Sequence, residues 1–181
     1  MRPSQLQATL EWAIPRRENV LVVGPPGTGK TDIIRQACKV IGYDMLTSYA
    51  YLNEPIDYRG VPGLHKPNGT TIADFFPTLD LRMMTEATRP LFVFLDDLGW
   101  APASVQHACA NLILARTING VPVAPCVSFG AASNRREDMA GVSGLLEPVK
   151  SRFSGIYHLD PDLGEWCQWY LEQEPELPPE P

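Results

Sequence analysis

The sequence predicts an α/β protein built on a parallel sheet with helices on both faces. Three observations predict it. Apolar runs at 19–23, 91–95 and 126–132 read as strands buried on both sides, without the alternation of a half-exposed sheet. Segments of helical period, such as Lys30–Ile41 and Pro102–Arg116, separate the strands. Each run ends in glycine or polar residues: Gly24, Asp96-Asp97 and Ser133-Asn134. In an open α/β sheet that edge is where ligands bind.

Length and composition bound the answer. A chain of 181 residues, 44% hydrophobic and 20% charged, suits one soluble domain with a proper core. No apolar run approaches the roughly 20 residues needed to cross a bilayer. Met1–Leu10 has no apolar signal core, so a cytoplasmic location is expected. Cys38, Cys109, Cys126 and Cys167 form no CxxC pair, which argues against zinc and a disulfide framework. Cys38 and Cys109 fall on apolar helix stripes and read as core thiols. The net charge is −6, and seven acids without a Lys or Arg follow Arg152, so residues 1–152 sum to +1 (−6 plus 7). No basic cluster indicates nucleic acid.

The elements follow in order. Residues 5–14 predict a helix packing through Leu6, Leu10 and either Ile14 or Trp12. Asn19–Val23 is a buried strand. Lys30–Ile41 is a helix with Ile33, Ile34, Ala37, Cys38 and Ile41 on one face and Gly42 as its stop. Asp44–Tyr49 is a second strand. Residues 51–77 read as a Pro-, Gly- and Asn-rich loop, with a hairpin turn at Asn68-Gly69. Leu79–Ala87 is a helix and Leu91–Leu95 a strand. Pro102–Arg116 is a helix with Val105, Ala108, Cys109 and Leu112 as its stripe. Asn119-Gly120 is a turn, Cys126–Ala132 a strand, and Ser143 caps a helix to about Ser151. Gly155–Leu159 is the last strand, and Asp160-Pro161 opens a final helix through Trp166 and Trp169. Glu172–Pro181 is Pro- and Glu-rich and predicts a solvated, disordered tail.

Four motifs carry chemistry. Gly24-Pro25-Pro26-Gly27-Thr28-Gly29-Lys30-Thr31 is GxxxxGK[ST] between a strand and a helix. Its glycines let backbone N–H groups converge on phosphates, and the helix N-terminus adds a favourable dipole. Lys30 would neutralise the β- and γ-phosphates, and the Thr31 hydroxyl would ligate Mg²⁺. Asp96 would hold that Mg²⁺ through water, and Asp97 sits where a base could orient an attacking water. The Asn134 amide can reach a γ-phosphate or the lytic water, although asparagine after a strand is also ordinary turn chemistry. Arg152 reads either as a charge closing a helix or as a finger for a neighbouring subunit's γ-phosphate.

Taken together, GPPGTGKT, LFVFLDDLGWAPASVQHACANLIL and AASNRREDMAGVSGLLEPVKSRF resemble an AAA+ ATPase. The closest kind is the MoxR-like group, including phage-borne versions, in which an RG(L/V)P loop follows the second strand; here it is Arg59-Gly60-Val61-Pro62. The resemblance covers roughly residues 18–170. It implies a P-loop NTPase three-layer sandwich with a five-stranded parallel sheet in the order 5-1-4-3-2. It also implies Walker A at Gly24–Thr31, Walker B at Asp96-Asp97, sensor 1 at Asn134, and Arg152 as an arginine finger in trans. The implied activity is Mg²⁺-dependent ATP hydrolysis in a homo-oligomeric ring, commonly a hexamer. Hydrolysis would be coupled to remodelling of a partner protein, often one with a von Willebrand factor A domain. On this reading residues 1–159 are the core domain, 160–171 the first helix of the family's lid, and 172–181 the tail.

Two departures qualify the expectation. Walker B normally ends Asp-Glu, and Asp97 sets its carboxylate back by about one C–C bond, a shift that can cost roughly 10²-fold in rate. No Lys or Arg lies beyond Arg152, so a sensor 2 arginine in cis is not expected. These features keep open an alternative, a nucleotide-binding interaction module with little hydrolysis. A small-substrate P-loop kinase would want an Arg-rich lid and a substrate-binding acid, and neither stands out.

Overall fold

The computed structural model describes residues 1–138 and 144–173. The expected Ser143 cap and residues 174–181 of the tail lie outside them.

Five strands form one parallel sheet: β1 (Val20–Val23), β2 (Asp44–Tyr49), β3 (Leu91–Asp96), β4 (Val127–Ser133) and β5 (Gly155–His158). β1 pairs with β4 and β5, β3 pairs with β4, and β2 pairs with β3. The order is therefore 5-1-4-3-2, as the resemblance implies. Every residue of β3 and β4 is buried, which accounts for the unbroken apolar run Leu91–Leu95 and for a β4 interrupted only by glycine and the small hydroxyl residues Ser128 and Ser133.

Side chains alternate between two cores. On one face, Val20, Val22, Phe92 and Phe94 meet α1 (Pro3–Ala13) and α2 (Lys30–Val40). Leu6, Leu10 and Ala13 of α1 are buried there, as is Ile14 just beyond its end. Trp12 stays outside, with the Arg16 guanidinium 4.4 Å from its ring centroid, so Ile14 is the fourth packing residue. On the other face, Leu21, Val93, Phe129 and Ala131 pack with α4 (Leu79–Thr85), α5 (Ala103–Ala115) and α6 (Glu147–Lys150). Cys38 and Cys109 are buried and burial pushes both thiols up to about 12, as befits core residues.

The 51–77 stretch is more ordered than a loop. It contains α3 (Pro55–Arg59), then an antiparallel hairpin pairing Val61–His65 with Ile72–Phe76. Asn68 and Gly69 both take positive φ within the connection, which runs over residues 66–71 and not over two residues alone. The Tyr58 and Ser48 hydroxyls are 2.8 Å apart, and the Asn53 amide donates to both, which fastens α3 to the end of β2. The helix expected from Ser143 to Ser151 is only Glu147–Lys150, with Leu146 before its first turn. Pro148 suits a first turn and suits nothing deeper in a helix. The last helix, α7 (Leu163–Gln173), starts after Pro161 and includes two residues assigned to the tail, Glu172 and Gln173.

Candidate active site

The sheet register sets the site. Val23 lies beside Ser133 on one side and His158 on the other, and β3 next door ends at Asp96. Gly24, Asn134 and Asp96-Asp97 therefore leave neighbouring strands at one edge. The loop from Gly24 runs into α2, whose first residue is Lys30. Three glycines in it answer to the backbone, and Gly27 takes φ 74°. Gly29 stands immediately before the helix with φ 80°, a left-handed conformation that an L side chain rarely takes. A Cβ on Gly24 would come within 3.0 Å of the Leu159 carbonyl.

Residues 26–32, Asp96, Asp97 and Asn134 line an open cleft of about 330 Å³. Lys30 is buried along with Asp96 and Asn134. Its ammonium donates to the carbonyls of Gly24 (3.1 Å) and Pro25 (2.8 Å) and to Asn134 Oδ1 (2.7 Å). The Thr31 hydroxyl donates to Asp96 Oδ2 at 2.9 Å, and Thr28 closes the loop onto the Pro25 carbonyl at 2.8 Å. Gly24 and Pro25 do not line the cleft; their carbonyls hold the Lys30 ammonium that does.

Charge is strained in this setting. Burial lowers the Lys30 pKa, and the nearby carboxylates of Asp97, Asp96 and Asp138 resist that. Burial, then the charge of Asp96, raises Asp97 above the usual carboxylate range, while Lys30 pulls it back. Asp97 also takes φ 50°, ψ 38° at the head of a tight turn, Leu98–Trp100. Asp is among the few side chains at home in that region, and Glu is not. The short acid in the Asp-Asp pair is thus the one this backbone accommodates.

Arg152 is elsewhere. Its carbonyl accepts from the Asn19 amide at 3.2 Å, and Asn19 precedes the first residue of β1. Arg152 is therefore mounted at the opposite edge of the sheet from the cleft, a strand length away. Lys30, Thr31, Asp96, Asp97 and Asn134 come together, and Arg152 does not join them. Asp32 and Asp138 escaped the sequence reading. Asp32 lines the cleft and pairs with Arg35; Asp138 is held by Arg135 Nε at 2.8 Å and lies near enough to influence Lys30. The spacing of both ion pairs, three residues apart, was a signal available in the sequence.

The larger groove, about 490 Å³, lies at the other edge among Asp44, Met45, Met83 and Arg89. It contains none of the expected site residues. Among the described residues no group of three or more His, Cys, Asp or Glu side chains could cage a metal, and no helix is long and apolar enough to cross a membrane.

Solved structures share the fold. An assigned ATPase of Cytophaga hutchinsonii superposes with a TM-score of 0.60 at 19% identity, covering 96% of this chain and 51% of that one. The RuvB Holliday junction branch migration motor of Thermotoga maritima gives 0.57 at 18% identity, covering 87% and 44%. A point mutant of that motor gives 0.63 at 19%, covering 95% and 49%. The chain spans about half the length of these structures. Among curated proteins none matches it in sequence. The model of the AAA domain family, dynein-related subfamily, matches residues 19–153, from the base of β1 through the Arg152 segment, and the chain belongs to that family.

Proposed function

We propose that this chain is a Mg²⁺-dependent ATPase of the MoxR-like kind, working as a homo-oligomeric ring in the cytoplasm and remodelling a partner protein. The observation that carries the reading is the meeting of Lys30, Thr31, Asp96 and Asn134 at the ends of three adjacent strands. The loop glycines and the start of α2 offer N–H groups to phosphate oxygens. Thr31 and Asp96 supply hard oxygen donors 2.9 Å apart, a set suited to Mg²⁺, which keeps most of its other positions for water and phosphate. When bound, the ion neutralises charge on the β- and γ-phosphates. Lys30 adds a second positive charge from the loop side. Asn134 and Asp97 flank the place of a γ-phosphate, the first to orient and the second to accept a proton from water. Burial and the neighbouring Asp96 charge raise the Asp97 pKa, the direction that suits a proton acceptor.

Arg152, mounted a strand length from its own cleft, serves a neighbour's. The 51–77 segment is the partner-facing surface on this reading, because Leu64, Phe75 and Phe76 stand exposed on it. A von Willebrand factor A domain protein is the partner the MoxR-like assignment suggests, and residues 160–171 would then belong to a lid.

Steady-state phosphate release tests the proposal. Lys30→Ala should lower turnover by on the order of 10²–10³-fold, the usual cost of losing one electrostatic stabiliser. Wild-type specific activity should rise with protein concentration as subunits assemble. Wild-type release no faster than the variant's at every concentration would rule out hydrolysis. In that event ATP-dependent assembly without turnover is the second reading, favoured by Asp97 standing where a glutamate is usual.

A further inference from the structure

Arg152 follows a helix of only four residues, Glu147–Lys150. So short a helix has no stability of its own, and its direction must be set from outside. Val149 and Phe153 are buried beneath it, but apolar contacts are not directional. The directional contacts come from two amides.

Gln106 lies on α5 among core residues and is completely buried. Its Nε2 donates to the carbonyls of Ala101 (3.0 Å) and Gly144 (3.1 Å). Its Oε1 accepts the Leu146 N–H at 3.0 Å. Ala101 closes the tight turn that begins at Asp97, and Leu146 immediately precedes α6. One buried side chain thus ties the acid-bearing strand end to the root of the Arg152 segment. On the far side of Arg152 stands Asn19. Its Nδ2 donates to the Arg152 carbonyl, and its own carbonyl accepts the N–H and the hydroxyl of Ser154 at 2.9 and 3.1 Å. A buried amide is costly unless fully paired, and an apolar residue would fill the Gln106 position without that demand. What the amide adds is geometry.

We propose that Gln106 and Asn19 are positioning residues that grip the Arg152 segment from both ends and aim the guanidinium at the cleft of a neighbouring copy. The inference rests on the reading of Arg152 as a finger in trans, and the test separates the two. Lys30→Ala and Arg152→Ala chains are mixed, with mixed assembly verified by light scattering. The Lys30→Ala chain still offers a finger, and the Arg152→Ala chain still offers a cleft, so phosphate release should return in the mixture. Gln106→Met is then placed in one chain or the other. In the finger-offering chain it should lower the restored rate by about tenfold or more, as misaimed groups do. In the cleft-offering chain, where it reaches only the Ala101 end of the turn that Asp97 heads, the loss should be several-fold smaller, with binding of a fluorescent ATP analogue unchanged. A merely structural role would cost the same in either chain. Asn19→Ala, which removes one half-buried hydrogen bond, should show the same asymmetry more weakly, and it keeps the test open if Gln106→Met does not fold. A mixed assembly that stays silent before Gln106 is touched overturns the trans finger. A restored rate that falls equally whichever chain carries the changes overturns the positioning role and leaves the finger standing.

Discussion

The cleft and the Val61–Phe76 hairpin invert the usual partition of side chains in opposite senses. In the cleft, Lys30, Asp96 and Asn134 are polar, buried and paired. On the hairpin, Val61, Leu64, Phe75 and Phe76 are apolar and exposed. A buried charge needs partners to be tolerated, and here those partners also fix it in place. An exposed apolar strand pair gains little from folding, since two strands alone are marginal in water. The first departure prepares a site for chemistry within the chain. The second leaves contact surface for something outside it. Arg152 stands between these cases, anchored within one copy and, on the proposed reading, used by another.

The largest effect should come from Arg152→Ala. Losing a finger lowers phosphoryl-transfer rates by roughly 10³–10⁵-fold. Turnover should collapse, the dependence of specific activity on concentration should vanish, and ATP binding should remain. A variant that hydrolyses normally would place Arg152 back among helix-end charges.

The next prediction sets core against hairpin. Phe94 is fully buried on the face that meets α1 and α2, so Phe94→Ala should cost about 3–5 kcal/mol in denaturant unfolding. Leu64 is 73% exposed, so Leu64→Ala should stay within about 0.5 kcal/mol. Comparable losses would mean the hairpin is packed into the body after all.

The smallest effect concerns pH. Burial and Asp96 raise the folded-state pKa of Asp97 above its unfolded value, so the folded chain holds that proton more tightly. Wild-type stability should therefore fall as pH rises from about 3.8 through the raised pKa and stay lower beyond it. Asp97→Asn escapes this and still suits the positive φ. Its melting temperature should exceed wild type at neutral pH, with the gap closing below pH 3.8. A gap that widens in acid would reverse the sign of the argument.

Much of this could be read from the residues because the signals are local. The buried runs mark β1, β3 and β4, and the glycine-rich loop between strand and helix marks the cleft. Three things could not be read. Gln106 lies outside the expected α5 stripe of Val105, Ala108, Cys109 and Leu112, and helical period announces neither its burial nor its partners. The positive φ of Asp97 reflects the turn after β3, which no pattern in Leu98-Gly99-Trp100 announces. The position of Arg152 depends on the Asn19 amide meeting its carbonyl across more than a hundred residues of intervening chain, a contact that no local pattern announces.

The grip on Lys30 has a consequence for nucleotide affinity. Its ammonium has three acceptors within the protein, and a phosphate can recruit it only by drawing it away from some of them. On the proposed reading, capture of ATP is a swap of partners, and the dissociation constant will report the margin between two sets of bonds. Loosening Asn134's hold would shift that margin toward the nucleotide, even as it removes a group that the nucleotide would otherwise meet.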